Sequence, residues 1–237
     1  MKLTYLYNSG FVFEGEHFMM ILDYYKDAEE GFVFQKITSY PGRIYVLSTH
    51  WHPDHFNPEV LQWRKTRSDI RYIFSRDILK KRWWTNFRDV AFLLKGQVWE
   101  DDNVRVQAFG STDVGSSFLV EVEGKKIFHA GDLNFWHWSE VSTPKEIQLS
   151  ERHFLQEVAL LAEKTTQLDL AMFPVDPRQG KDYMLGAQMF VDRIHADVFV
   201  PMHFGTDYEK IEAFRESAQA ADCRFIEWKA RGETIEF

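Results

Sequence analysis

The sequence predicts an α/β protein built as a four-layer αββα sandwich, two sheets packed face to face with helices outside, and three observations carry that reading. Strand-like runs fill the first 47 residues and return between Val98 and Ala130. In the last third, apolar stripes at helical spacing alternate with apolar strands. No Ser/Gly linker, low-complexity tract or internal repeat marks a boundary, so the chain of 237 residues reads as one domain, 1–237.

The elements follow in order. Runs at 3–7, 11–13, 18–23 and 44–47 are broken by Asn8, Ser9 and Gly10, by Glu14 and Gly15, and by Pro41 and Gly42, which makes them strands joined by tight turns. A loop at 48–56 precedes Asn57 and Pro58, a helix start with Asn as N-cap and Pro at the first helical position. A strand at 70–74 and a charged helical stretch from Asp77 to about Phe87 come next. Strands are then expected at Val98 and at 104–109, 117–123 and 126–130, with Glu123, Gly124 and Lys125 as a hairpin turn. Three helical stripes follow: Phe154, Leu155, Val158, Leu161 and Ala162 behind a Ser150 cap, Met184 to Ile194, and Tyr208 to Ala221. Each leads into a strand, at 170–173, 198–201 and 224–228.

Composition narrows the function. One cysteine, Cys223, can form neither an intramolecular disulfide nor a thiolate cluster, so a transition-metal site here must use His and carboxylates. There are nine His and 36 Asp+Glu against 28 Lys+Arg, a net charge of -8 that weighs against general nucleic-acid binding. The N-terminus lacks the apolar core of an export signal. No run approaches the roughly 20 apolar residues of a membrane span. A cytoplasmic location is expected.

The strongest chemical signal is His50, His52, Asp54 and His55, four metal-competent side chains within six residues, directly after an apolar strand. In extended chain, residues i and i+2 share a side, so His50 and His52 can converge on one ion. Asp54 and His55 are adjacent and need a turn, which Pro53 favours, to face a second. Imidazole and carboxylate donors suit zinc, manganese or iron. Two strand-end motifs complete the set: His129-Ala130-Gly131-Asp132, and Pro201-Met202-His203-Phe204-Gly205.

These motifs, in this order and at these spacings, resemble the metallo-β-lactamase-fold superfamily over essentially the whole chain, including the Asn8-Ser9-Gly10 turn and Asp23 at a strand end. The phrases around Asp132 and His203 are most similar to the branch that includes ascorbate-6-phosphate lactonase. The resemblance implies that His50 and His52 bind a first metal, that Asp54, His55 and His203 bind a second, and that Asp132 bridges. A metal-bound hydroxide would be the nucleophile, since a divalent ion lowers the pKa of water to about 7, and Asp54 would orient it or accept its proton. The cofactors implied are one or two divalent ions, zinc first, with manganese or iron as alternatives.

The chain departs from the pattern in one place. Family members usually carry a third His for the first metal in the loop after the strand at 104–109, and here that loop is Gly110-Ser111-Thr112-Asp113-Val114-Gly115-Ser116-Ser117. Three accounts stand open. Asp113 or a hydroxyl completes the site, favouring a harder metal such as manganese; the first site is weak and one ion sits with Asp54, His55, Asp132 and His203; or the site is degenerate and inactive.

Further candidates surround this set. His129 supports a ligand or protonates a leaving group, unless it is a packed strand His. Trp136, within the aromatic loop 134–138, walls a pocket with His137 as a proton donor, or it packs the core. Arg178 is the best residue for an anionic substrate group. Residues 64–88 hold nine Lys+Arg and two acids, interleaved with Trp63, Trp83, Trp84 and Phe87; this is a solvated helix face, an attraction for a phosphorylated substrate, or a contact in a homo-oligomer. The expectation is a metal-dependent hydrolase of an ester, lactone, phosphoester or amide, with a small, anionic molecule as partner and no membrane. The alternatives are a silent binding protein and a mononuclear iron oxidative enzyme.

Overall fold

The computed structural model of the protein describes residues 1–81 and 89–237. Among these residues the strands form two seven-stranded sheets of the same plan. In the first, β1 (Lys2–Tyr7), β2 (Gly10–Glu14) and β3 (Phe18–Leu22) run antiparallel, and β4 (Arg43–Ser48), β5 (Arg71–Ser75) and β6 (Val90–Leu93) continue from β3 in parallel. In the second, β7 (Val98–Glu100), β8 (Val104–Phe109), β9 (Ser117–Val122) and β10 (Lys125–His129) are antiparallel, and β11 (Gln167–Pro174), β12 (His195–Met202) and β13 (Arg224–Phe225) add in parallel to β10. A final strand, β14 (Thr234–Glu236), returns to the first sheet beside β1.

Period-two alternation explains why both faces of the first sheet are covered. Phe11, Phe13, Met20, Leu22, Tyr45 and Leu47 join residues of the second sheet in one buried core. Their neighbours Val12, Met19, Ile21, Ile44 and Val46 point the other way, against Val33 and Ile37 of α1 (Phe32–Ser39) and against Val60 and Trp63. The second sheet is covered by α2 (Pro144–Lys164), which buries Phe154, Val158 and Leu161, and by α3 (Leu185–Val191), which buries Phe190. The two sheets are also tied through aromatic rings: Tyr5 of β1 stacks on Trp228 at 5.3 Å and on Phe204 at 5.4 Å between centroids. Among the described residues no helix is long and apolar enough to cross a membrane.

Several elements differ from expectation. Helix α2 begins at Pro144, not behind Ser150, because Thr143 and Glu146 close a capping box around it; Ser150 lies inside the helix and donates to the Trp136 carbonyl at 3.0 Å. Asn57 does cap its segment, accepting from the Glu59 amide at 2.9 Å, but Pro58–Lys65 is a 3-10 helix. The stretch predicted from Asp77 is likewise 3-10 over Arg76–Lys81, and its remainder lies outside the described residues. The last stripe breaks into α4 (Tyr208–Ile211), a 3-10 turn and α5 (Arg215–Ala220), and only Arg224 and Phe225 of the final predicted strand pair. Helix α1 and strands β6 and β14 were not expected from the sequence: α1 and β6 are short apolar runs whose length and spacing do not separate helix from strand, and β14 has a single apolar residue.

Phe173 of β11 is fully buried and stacks on Phe190 at 4.5 Å, with Phe154 and Phe199 at its edges. Phe173→Ala should lower unfolding free energy by about 3–5 kcal/mol in urea titration, while Val141→Ser, at a position 84% exposed, should stay within about 0.5 kcal/mol of the parent.

Candidate metal centre

The parallel strands of both sheets end on the same side, and the loops leaving β3, β4, β10, β11 and β12 meet there. After β4, the amides of His55 and Phe56 both bond the His52 carbonyl at 2.9 Å, so Pro53 and Asp54 sit in the turn that lets His50, His52 and His55 face inward together. The loop after β8 lies directly on this segment, with the Ser116 amide bonded to the Thr49 carbonyl at 2.9 Å. Gly115 (φ 79) makes that approach possible, since a Cβ there would fall 2.2 Å from the Thr49 oxygen and 2.4 Å from the His50 Cβ. Gly131 (φ 54) allows Asp132 the same closeness, its missing side chain leaving room for Thr49.

Two clusters result. His50, His52, Asp113 and Asp132 each offer one donor atom, all within 4.8 Å of one another, and so do Asp54, His55 and His203. Asp132 lies between them: Oδ2 is 3.3 Å from His50 Nε2, whereas Oδ1 is 3.1 Å from His55 Nε2 and 3.3 Å from His203 Nε2. Asp113 Oδ2 is 3.3 Å from His52 Nδ1. Of the replacements open for the absent third His, Asp113 is the one this loop brings into the first cluster.

The histidines are aimed by groups behind them. Asp23, in a left-handed conformation at the end of β3 (φ 41), accepts from the Thr49 amide at 2.7 Å, the Thr49 hydroxyl at 2.6 Å and His55 Nδ1 at 2.7 Å. With its proton directed to Asp23, the Thr49 hydroxyl accepts from His50 Nδ1 at 3.2 Å. Asp176 takes His203 Nδ1 at 3.1 Å. Each of these three rings is thus fixed through Nδ1 and turns Nε2 toward the cluster, the arrangement in which imidazoles bind metals. Asn8 Nδ2 holds Asp54 Oδ2 at 3.0 Å.

The residues fit a metal on one further observation. His55 Nε2 and Asp132 Oδ1 are buried and, although 3.1 Å apart, are not in hydrogen-bond geometry, which leaves both without a hydrogen-bond partner. Buried polar atoms are costly in that state. A cation between the donors would satisfy both. The electrostatics agree: burial opposes ionisation of Asp132, yet His55 and His203 hold its carboxyl well below the usual range. For His203 burial likewise opposes charge, and the carboxylates of Asp132, Asp176 and Asp54 outweigh it, lifting the ring to about 9. Such a site binds protons tightly when it lacks another cation.

All seven predicted ligand candidates are therefore brought together, and Trp136 and Arg178 stand at the rim. The two proposed proton donors are not there. His129 is fully buried; its Nε2 donates to the Ser9 carbonyl at 2.9 Å and its Nδ1 accepts the Gly131 amide at 3.1 Å, so neither nitrogen is free, and burial holds its pKa down. His137 repeats the device, with the Asp182 carbonyl and the Ser139 amide each at 3.1 Å. Both are loop braces. The basic segment also dissolves in part: Arg67 is spent on the carbonyls of Ile37, Tyr40 and Gly42 and on Asp69, and Arg64 lies over the Tyr72 ring. Trp83, Trp84, Phe87, Arg82 and Arg88 lie outside the described residues. Sequence reasoning missed the supporting roles of Asn8, Thr49, Asp23 and Asp176. Both acids stand one or two residues past the end of an apolar strand, Asp23 after Leu22 and Asp176 after Pro174, and that pattern would have found them.

No family model matches the chain. Its structure is similar to solved ones. Igni18, a metallo hydrolase from the archaeon Ignicoccus hospitalis, superposes with a TM-score of 0.70 over 100% of this chain and 98% of its own, at 18% identity. YhfI from Bacillus subtilis, a metallo-β-lactamase fold protein, gives 0.65 over 99% and 98% at 12% identity. A variant of the CmlA β-hydroxylase gives 0.67 over 100% of this chain and 54% of its own, at 16% identity. The chain has the metallo-β-lactamase fold.

Asp23→Asn should weaken metal binding by about 10- to 100-fold, read by competition with a coloured chelator, because the amide presents an N–H to donors that need an acceptor. Asp113→Ala should weaken the first cluster alone, so that a biphasic metal titration loses one phase.

Proposed function

We propose that the chain is a metal-dependent hydrolase whose two ions are held by His50, His52, Asp113 and Asp132 and by Asp54, His55, His203 and Asp132. The observation that carries this is the single carboxylate, Asp132, with one oxygen toward each cluster. Ions held there would lower the pKa of a water to about 7 and polarise a carbonyl or phosphoryl oxygen. The rest is done by side chains. Asp54, 36% exposed and tethered through Oδ2 to Asn8, keeps Oδ1 for the proton of an attacking water. Arg178, braced by Asp176 on Nε and Nη2 with 65% of its side chain exposed, meets an anionic part of the substrate. Trp136, fixed by an indole bond to the Asp132 carbonyl at 2.8 Å, excludes water from one side. An ester, lactone, phosphoester or amide is compatible with this arrangement. Zinc is the first choice of ion.

A second reading has its own support. Two His with the carboxylates of Asp113 and Asp132 form a donor set that suits iron or manganese as well as zinc, and the fold is shared with a β-hydroxylase. A silent scaffold is the least economical reading, since the groups that aim the ligands are all in place.

Protein purified without chelator should contain zinc, manganese or iron and hydrolyse members of a chromogenic ester, lactone, phosphoester and amide panel; Asp132→Ala should lose metal from both clusters together with activity. Oxygen consumption with bound iron would support the second reading, and a metal-free, inactive protein that takes up no added ion would contradict both.

A further inference from the structure

Beside the metal clusters opens a cavity of about 540 Å³, whose floor is formed by Asp113, Asp132 and His203. Two polar residues of its walls, Thr112 and Ser150, are already occupied. The Thr112 hydroxyl donates to the Asn134 carbonyl at 2.6 Å, Ser150 to the Trp136 carbonyl at 3.0 Å, and His153 Nε2 lies 3.6 Å from the buried carboxylate of Glu157. Beyond the metal floor, Arg178 and the exposed His153, what the cavity offers a ligand is an apolar surface: Trp136, Trp138 and Leu149.

This surface is built. The two indoles lie 6.0 Å apart between centroids and within 12° of parallel. Trp136 is locked by its bond to Asp132, and Trp138 is presented by a left-handed backbone (φ 42) that tryptophan does not adopt without cause. Trp138, in the loop before α2, and Leu149, in the second turn of α2, stay 37% and 52% exposed. On the other flank of Arg178 the second cavity, about 350 Å³, has Tyr7, Asn8, Tyr25, Asp54 and Asp207 in its lining. The two lobes differ in chemistry and share Arg178 at their junction.

Resting on the hydrolase reading above, we propose that the substrate carries a flat, apolar group, an aryl ring or a comparable unsaturated plane, that lies on the Trp136–Trp138 wall while the bond to be broken sits over the ions and the polar remainder extends past Arg178 toward Tyr7 and Tyr25. Parallel, stacked indoles leave a flat ring face toward the cavity, and such a face rewards a planar partner over a puckered one of equal area, because only the plane reaches stacking distance over its whole face.

Zinc-loaded protein titrated calorimetrically with phenylphosphonate, cyclohexylphosphonate and methylphosphonate tests this, the phosphonate serving as a common anchor. Phenylphosphonate should bind about tenfold or more tighter than methylphosphonate and tighter than cyclohexylphosphonate. Trp138→Ala should cut the phenyl advantage by about three- to tenfold with methylphosphonate unchanged, and Leu149→Ser, at an exposed helix position, should cut it less. Equal affinity for the three probes, no binding to zinc-loaded protein, or an advantage untouched by both variants would overturn the proposal. Should the protein take up none of zinc, manganese or iron, the hydrolase reading fails on its own; phenol against cyclohexanol, which need no ion, then decides the wall, and equal or absent binding overturns it.

Discussion

The site depends on one buried carboxylate that does not face it. Asp23 receives two donors from Thr49 and one from His55, and through the Thr49 hydroxyl it also sets the His50 ring. Burial opposes its charge, and the neighbouring rings of His129 and His55 hold its carboxyl below the ordinary range nonetheless. A buried charge so satisfied is rigid, because every alternative position leaves a donor or the carboxylate unpaired. That rigidity is transmitted to the loop after β4, and the loop carries four of the seven candidate ligands.

The sheets supply the remainder. Each has four parallel strands, and their C-terminal ends meet at one edge of the sandwich, so ligands far apart in sequence, from His50 to His203, become neighbours without any long loop. Close approach at this edge is bought with glycine at 115 and 131 and with left-handed backbone at Asp23 and His203. The same edge carries the tryptophan wall, which follows Asp132 by only a few residues. On the proposals above, metal binding and substrate recognition share one loop.

How much of this was legible depends on the range of the interactions. The candidate ligands of the loop after β4 show in sequence because spacing of two residues and a Pro-led turn are local facts. Asp132 and His203 show because a polar residue at the end of an apolar strand is a local irregularity. Asp113 was one of several possible replacements for the missing His, since its place beside His52 depends on contact between two loops some 60 residues apart in sequence. His129 and His137 read as proton donors because sequence reveals a histidine near a motif but not the two backbone groups that occupy its ring. Helix α2 was placed late because its apolar stripe begins well after its capping box, and α1 was missed because its eight residues follow Gly31 with no side-chain cap and hold barely two turns of pattern.

The account stands on two ions sharing Asp132. An anomalous-difference map from a crystal of the zinc-loaded protein tests that directly. Two peaks are predicted, one among His50, His52 and Asp113, the other among Asp54, His55 and His203, with an oxygen of Asp132 against each. Peaks elsewhere, or a centre from which Asp132 is turned away, would contradict it.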